Sequence, residues 1–145
     1  MKKRKCKTNQ IKKNKATMAL KITLKPGERM IIGGTVIRNG EAKAELFIEN
    51  EVPLLREKDI IGEKEADTTA KRIYFTVQLM YIDPENLVNH HHTYWKLVHA
   101  ALKTAASMLN YIQPISEEIL AGRYYKALKL TRKLISYEQE IINRV

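Results

Sequence analysis

The 145-residue sequence contains a single cysteine, Cys6, so no internal disulfide can form. That excludes a disulfide-stapled secreted scaffold and a thiolate zinc site. No apolar run approaches the roughly 20 residues that span a bilayer. The basic N-terminus leads into no apolar stretch and no small-residue cleavage site, so it does not read as a secretory signal. The expected compartment is the cytoplasm, with no membrane partner. Glycine-rich phosphate loops are also missing: Gly33-Gly34 is followed neither by further glycines nor by a helix pattern. No Gly-x-Ser-x-Gly elbow and no nucleophile–base arrangement is visible. Cys6 lies in a tail, where a catalytic thiol would lack supporting neighbours. His90-His91-His92 invites a metal reading, but consecutive helical residues point about 100° apart. Ligand pairs need a spacing of three or four, and His99 lies too far along. The expectation is a protein that is not an enzyme and holds no metal, cofactor or small-molecule substrate.

What is abundant is positive charge, and it is unevenly placed. The formal net charge is +10. Residues 1–17 hold Lys2, Lys3, Arg4, Lys5, Lys7, Lys12, Lys13 and Lys15 and no acid, which leaves 18 basic against 16 acidic residues over 18–145. The remainder is therefore nearly neutral. A basic arm of this kind can hold RNA phosphates without reading sequence. It can equally be a solvated tail, or lie upstream of a translation start at Met18. In that last case the native protein would have the intact mass of residues 18–145. Apolar residues at 44% and charged residues at 29% are ordinary for one globular domain with one modest core.

After the tail, Leu20, Ile22 and Leu24 alternate with Lys21, Thr23 and Lys25, a half-buried strand. Pro26-Gly27 signals a turn. Residues 30–32 and 35–38 read as short strands around Gly33-Gly34. Asn39-Gly40 predicts a two-residue hairpin, with Ala42, Ala44, Leu46 and Ile48 on a strand that pairs back. Pro53 marks an edge or a bend, and residues 56–70 a polar connection. Over 72–82, Ile73, Phe75, Val77, Leu79 and Tyr81 share one period-two face and the other face is also largely apolar. The β-branched and aromatic content favours a strand over a helix there. Asp83-Pro84 then reads as a helix start. Helices follow over 84–109, with Leu97, Ala101, Ala105 and Met108 on one stripe. Pro114 is expected to interrupt, and a short helix to open at Ser116 and stop near Gly122. A last helix spans about 123–143, with Leu130 and Leu134 buried. The fold class expected is α+β: an N-terminal antiparallel β-sheet unit, 18–82, followed by a C-terminal α-helical unit, 83–145.

From Met18 onward the sequence resembles the FlbT family of bacterial flagellin regulators. The resemblance is carried by Met18-Ala19-Leu20-Lys21-Ile22-Thr23-Leu24-Lys25-Pro26-Gly27-Glu28, by Leu55-Arg56-Glu57-Lys58-Asp59-Ile60, by Ala70-Lys71-Arg72-Ile73-Tyr74-Phe75 with Gln78-Leu79-Met80-Tyr81, and by Tyr124-Tyr125-Lys126-Ala127-Leu128-Lys129 running into Lys133-Leu134-Ile135. No one of these is specific; their order and spacing are. Family members usually carry two arginines before Ile-Tyr-Phe, where this chain has Lys71-Arg72. A phosphate contact survives that change, whereas a bidentate arginine contact does not. Residues 1–17 match nothing in the family. The resemblance implies repression of flagellin synthesis after transcription, through the 5′ untranslated region of flagellin messenger RNA, with lowered translation and stability. It also implies FlaF and flagellin as partners. The family offers no catalytic residues to carry over.

Single-stranded RNA is held by cations on its backbone and by exposed rings on which bases stack. Lys71 and Arg72 beside Tyr74 are the expected RNA contacts, with Arg56 and Lys58 next. Each has a bland reading beside it. Arg56-Glu57-Lys58-Asp59 is charge-balanced and suits a salt-bridged turn, and Tyr74 suits a half-buried strand position. Lys126, Lys129, Arg132 and Lys133 suit the solvated face of the last helix. The near-neutral remainder keeps open a second function, a protein-interaction regulator that binds flagellin or FlaF and acts on the messenger indirectly.

Overall fold

A computed structural model describes residues 19–145; the basic tail lies outside them. The chain divides into a strand-rich unit ending at Lys58 and a helical unit, Asp59–Val145. The class is α+β.

The first unit contains β1 (Leu20–Leu24), β2 (Arg29–Ile32), β3 (Thr35–Arg38), β4 (Ala44–Ile48) and β5 (Leu54–Arg56). β1 pairs antiparallel with β4, Leu20 opposite Ile48 and Leu24 opposite Ala44. β2 is the centre of a second antiparallel sheet, flanked by β3 and β5. Ile22, Leu24 and Met30 are buried, with Ile32, Ile37, Leu46, Ile48 and Leu54 packed around them. In β4 the alternation holds, because Glu45 and Phe47 are exposed while Ala44, Leu46 and Ile48 are partly buried. Pro26-Gly27 is the expected turn: Glu28 N–H bonds the Lys25 carbonyl at 3.1 Å, and Gly27 has φ of 72°.

The hairpin expected at Asn39-Gly40 is not formed. The two-residue hairpin is Gly33-Gly34, with φ of 55° and 86°, and joins β2 to β3. Asn39 instead directs its amide at the carbonyls of Leu24, Lys25 and Ala42. It ties the β1 end to the β3–β4 connection, so β4 pairs with β1 and not with β3.

The second unit holds four helices: α1 (Thr69–Ile82), α2 (Leu87–Thr104), α3 (Leu109–Leu120) and α4 (Tyr124–Arg144). The strand expected over 72–82 is wrong, because this segment is helix α1. The β part therefore ends at Arg56 and not at residue 82. The physical reason is burial on most sides. α1 packs against both α2 and α4, and Ala70, Ile73, Tyr74, Val77 and Met80 are buried at helical spacing, with Thr76 and Gln78 buried as well. A helix with apolar residues on most sides shows no clean 3.6-residue stripe and mimics a two-sided strand. Thr68 caps α1, its hydroxyl accepting from Lys71 N–H at 3.3 Å. Glu138 of α4 is buried and accepts a second N-terminal donor of α1, Ala70 N–H, at 2.9 Å, where a carboxylate suits the helix dipole. Gln78 bonds both the N–H and the carbonyl of Ile61 and fixes the incoming chain to α1.

Pro84 opens a short 3-10 turn that runs into α2. Pro114 does not interrupt: it lies inside α3, exposed, and forgoes one backbone bond. Burial of Ile112, Ile115 and Ile119 on the opposite side holds that helix together. α3 ends as expected at Gly122, with φ of 76°, where Gly122 N–H bonds Ile119 and Arg123 N–H bonds Glu118. In α4, Leu134 is fully buried, whereas Leu130 is only partly so.

Candidate nucleic-acid interface

Arg56 ends β5. Its guanidinium donates to the Thr23 carbonyl at 2.8 Å and to Glu28 Oε2 at 3.2 Å, so much of its bonding capacity is committed to the strand unit itself. With Lys58 it lines a cleft of about 600 Å³ that includes Lys25, Pro26-Gly27, Glu28 and Glu57. Lys58 is exposed in the 3-10 turn Glu57–Asp59. Three cations face two carboxylates here, and the mixed charge fits the salt-bridged turn as well as a phosphate contact.

Glu28 is held as an anion: the Lys25 N–H, and then Arg56, keep its carboxyl below the ordinary value of 4.5. A carboxyl lowered by folding stabilises the folded form above the unfolded value, and that contribution is lost as pH falls through the folded one. Acidification from pH 6 to pH 3 should therefore lower the melting temperature of the parent more than that of Glu28→Gln. Equal acid sensitivity of the two would show that Glu28 contributes nothing to it.

Lys71 and Arg72 sit in the first turn of α1. The Lys71 ammonium pairs with Asp67 at 3.1 Å. It is the main reason why the Asp67 carboxyl lies below its usual value. Arg72 is exposed and donates from Nε to the Ala66 carbonyl at 3.4 Å. It lines a groove of about 430 Å³ between α1 and α2, with Phe75, Leu79, His90, Thr93 and Leu97 among its walls.

Tyr74 is not beside them on a surface. On a helix it points about 200° away from Arg72, and it is 4% exposed. Its hydroxyl donates to the Asp59 carbonyl at 2.5 Å, and the Arg132 guanidinium lies 5.9 Å from its ring centre. Burial pushes the phenol above its ordinary value. In this position the ring offers no platform to a base. Asp59 is also buried, and its carboxylate meets Arg132 and, at 3.7 Å, Lys129. Those two residues are therefore not simply a solvated face of α4.

The three histidines diverge. His90 Nε2 meets Asp83 at 3.0 Å, His91 Nε2 meets the Tyr124 hydroxyl at 3.4 Å, and His92 is exposed. Among the described residues no three potential ligands converge on a point, and no helix is long and apolar enough to cross a membrane. The outer face of α2 also places a ring beside a cation, with Trp95 and Lys96 both exposed. The His run drew attention to metal chemistry. The better signal was the absence of any acidic residue from Leu87 to Ser116.

A family model described as flagellar protein FlbT matches residues 20–142. The chain belongs to the FlbT family. A probable flagellum biosynthesis repressor protein FlbT 1 of Bradyrhizobium diazoefficiens is 46% identical over 125 residues, covering 86% of this chain and 85% of that protein. A probable FlbT repressor of a Caulobacter species is 38% identical over 130 residues, covering 88% and 99%. The flagellum biosynthesis repressor protein FlbT of Caulobacter vibrioides is 36% identical over 130 residues, covering 88% and 92%. No solved structure matches the chain. Both units fall within the FlbT match, so the strand pairs and the four helices are the fold of one FlbT chain.

Proposed function

We propose that this chain represses flagellum biosynthesis after transcription, by binding the 5′ untranslated region of flagellin messenger RNA and lowering its translation and stability. The observation that carries the reading is similarity, over 86–88% of the chain, to relatives named as flagellum biosynthesis repressors. The charge supports a polyanionic target: eight cations and no acid in residues 1–17, besides those on the described residues. The protein is a cytoplasmic regulator and not an enzyme. Its other partners are FlaF and flagellin.

A reporter preceded by the flagellin leader tests the function. Expression of the chain should lower the yield of reporter protein and shorten the messenger's lifetime, and a leaderless reporter should be unaffected. Repression that requires flagellin or FlaF, and vanishes without them, would favour the second reading, in which the chain binds a protein and acts on the messenger indirectly. Lys71, Arg72, Arg56 and Lys58 remain the proposed phosphate contacts. Tyr74 shares the helix of Lys71 and Arg72, but its buried ring supports the fold around it. Lys71→Ala with Arg72→Ala should weaken leader binding by about 1–3 kcal/mol and lower the salt slope by about 1–2 units. Thermal melting should barely change. Unaltered affinity and slope would remove both residues as contacts.

A further inference from the structure

We propose that single-stranded RNA is held on the outer face of α2, with a base stacked on Trp95 and phosphates on Lys96 and Lys103, flanked by His92 and His99. This rests on the reading that the chain binds RNA, and it names where.

At about 100° per residue, His92, Trp95, Lys96, His99 and Lys103 fall on one side of α2. Tyr94, Val98 and Ala101 fall on the other and are buried. The face from His92 to Lys103 is about 16 Å long at 1.5 Å per residue. At this chain's average acid content, about three acids would be expected in the thirty residues 87–116; there are none. The consequence shows in the ion pairs. Lys71 meets Asp67, Arg123 meets Glu118, Arg132 meets Asp59 and Arg144 meets Glu140. His92, Lys96, His99 and Lys103 are all exposed, and among the described residues none meets a carboxylate. The charge of Lys96 and Lys103 is available to a polyanion without first breaking a salt bridge.

Trp95 supplies the stacking surface that Tyr74 does not. It is 40% exposed. Tyr94 holds the indole edge-on, with ring centres 5.0 Å apart and planes at 73°. Tyr94 is itself fixed by a 2.7 Å hydroxyl bond to Ser116 of α3. A ring already ordered loses little entropy when a base stacks on it. Thr93, three residues before Lys96, lines the groove that also contains Arg72. The groove that holds Arg72 thus borders the outer face at Thr93, about 60° round the helix from Lys96. An RNA ligand is favoured over a protein by charge: an indole beside two lysines that, among the described residues, meet no carboxylate suits alternating bases and phosphates.

Trp95 is the only tryptophan in the chain, so its fluorescence reports the site directly. The full chain is titrated with the flagellin leader transcript, with affinity measured separately by gel shift at several salt concentrations. Saturable quenching of Trp95 is expected. Trp95→Ala should weaken affinity about ten-fold and Trp95→Phe should restore most of it, since stacking needs a π-face. Lys96→Ala with Lys103→Ala should lower the salt slope by about 1–2 units. Circular dichroism and melting curves confirm that each variant folds. If the parent binds RNA while the α2 variants keep full affinity and slope, this site is wrong and the RNA-binding reading stands. If the parent binds no RNA at any salt, both fail. If flagellin, and not RNA, quenches Trp95, the face belongs to a protein partner and the assignment is overturned.

Discussion

Replacing Leu134 with alanine is expected to lower the stability of the helical unit by about 2–5 kcal/mol. Leu134 is fully buried on α4, which packs against both α1 and α3. Truncation removes three carbons from a close-packed site. The loss is the transfer energy of those atoms plus the cavity left behind, and the cavity persists because rigid helices collapse only partly into it. Chemical denaturation followed by circular dichroism checks this. An unchanged midpoint would mean that the α4 face is not packed as described. Leu130 is only partly buried, so Leu130→Ala should cost distinctly less.

Removing the Arg132 guanidinium is the second large effect. Asp59 is 3% exposed, and its carboxylate faces Arg132 with Lys129 at 3.7 Å. An anion left in that position without its closest partner is poorly solvated. Loss of one member of a buried pair costs about 3–5 kcal/mol. Arg132 is about half exposed and Lys129 remains, so Arg132→Ala should cost less than that range, about 2–3 kcal/mol. Asp59→Asn placed in the Arg132→Ala background should recover part of the loss, because the stranded charge is gone. If the double variant is as unstable as the sum of the singles, the pair is not coupled and this account of Asp59 is wrong.

The strand unit was largely legible in the sequence where one face of a strand meets a core and the other meets solvent, as in Ile22 and Leu24 of β1 against Lys21 and in Leu46 and Ile48 of β4 against Glu45. Its pairing was less so. Asn39-Gly40 and Gly33-Gly34 both signal a tight turn, and only the side-chain bonds of Asn39 to three carbonyls decide which pair turns the chain. The α1 segment was misread because a helix packed on several sides carries apolar residues at every period. The overlooked clue was Thr68, a capping residue just before the run. Tyr74 followed that error: on a strand it would stand near Arg72 at a surface, and on a helix it turns into the core. The α2 face was hidden for another reason. Sequence reading looks for cations that are present, whereas the distinguishing feature of α2 is the lack of acids to neutralise them.

The central claim, direct recognition of RNA by this chain, is tested most directly by the binding constant of the purified full chain for the flagellin leader transcript, measured between about 50 and 200 mM salt, the range over which phosphate contacts reveal themselves. The account predicts a logarithm of affinity that falls linearly with the logarithm of salt concentration, with a slope reporting several neutralised phosphates. Absence of binding at the lowest salt, or an affinity that salt does not change, would contradict it.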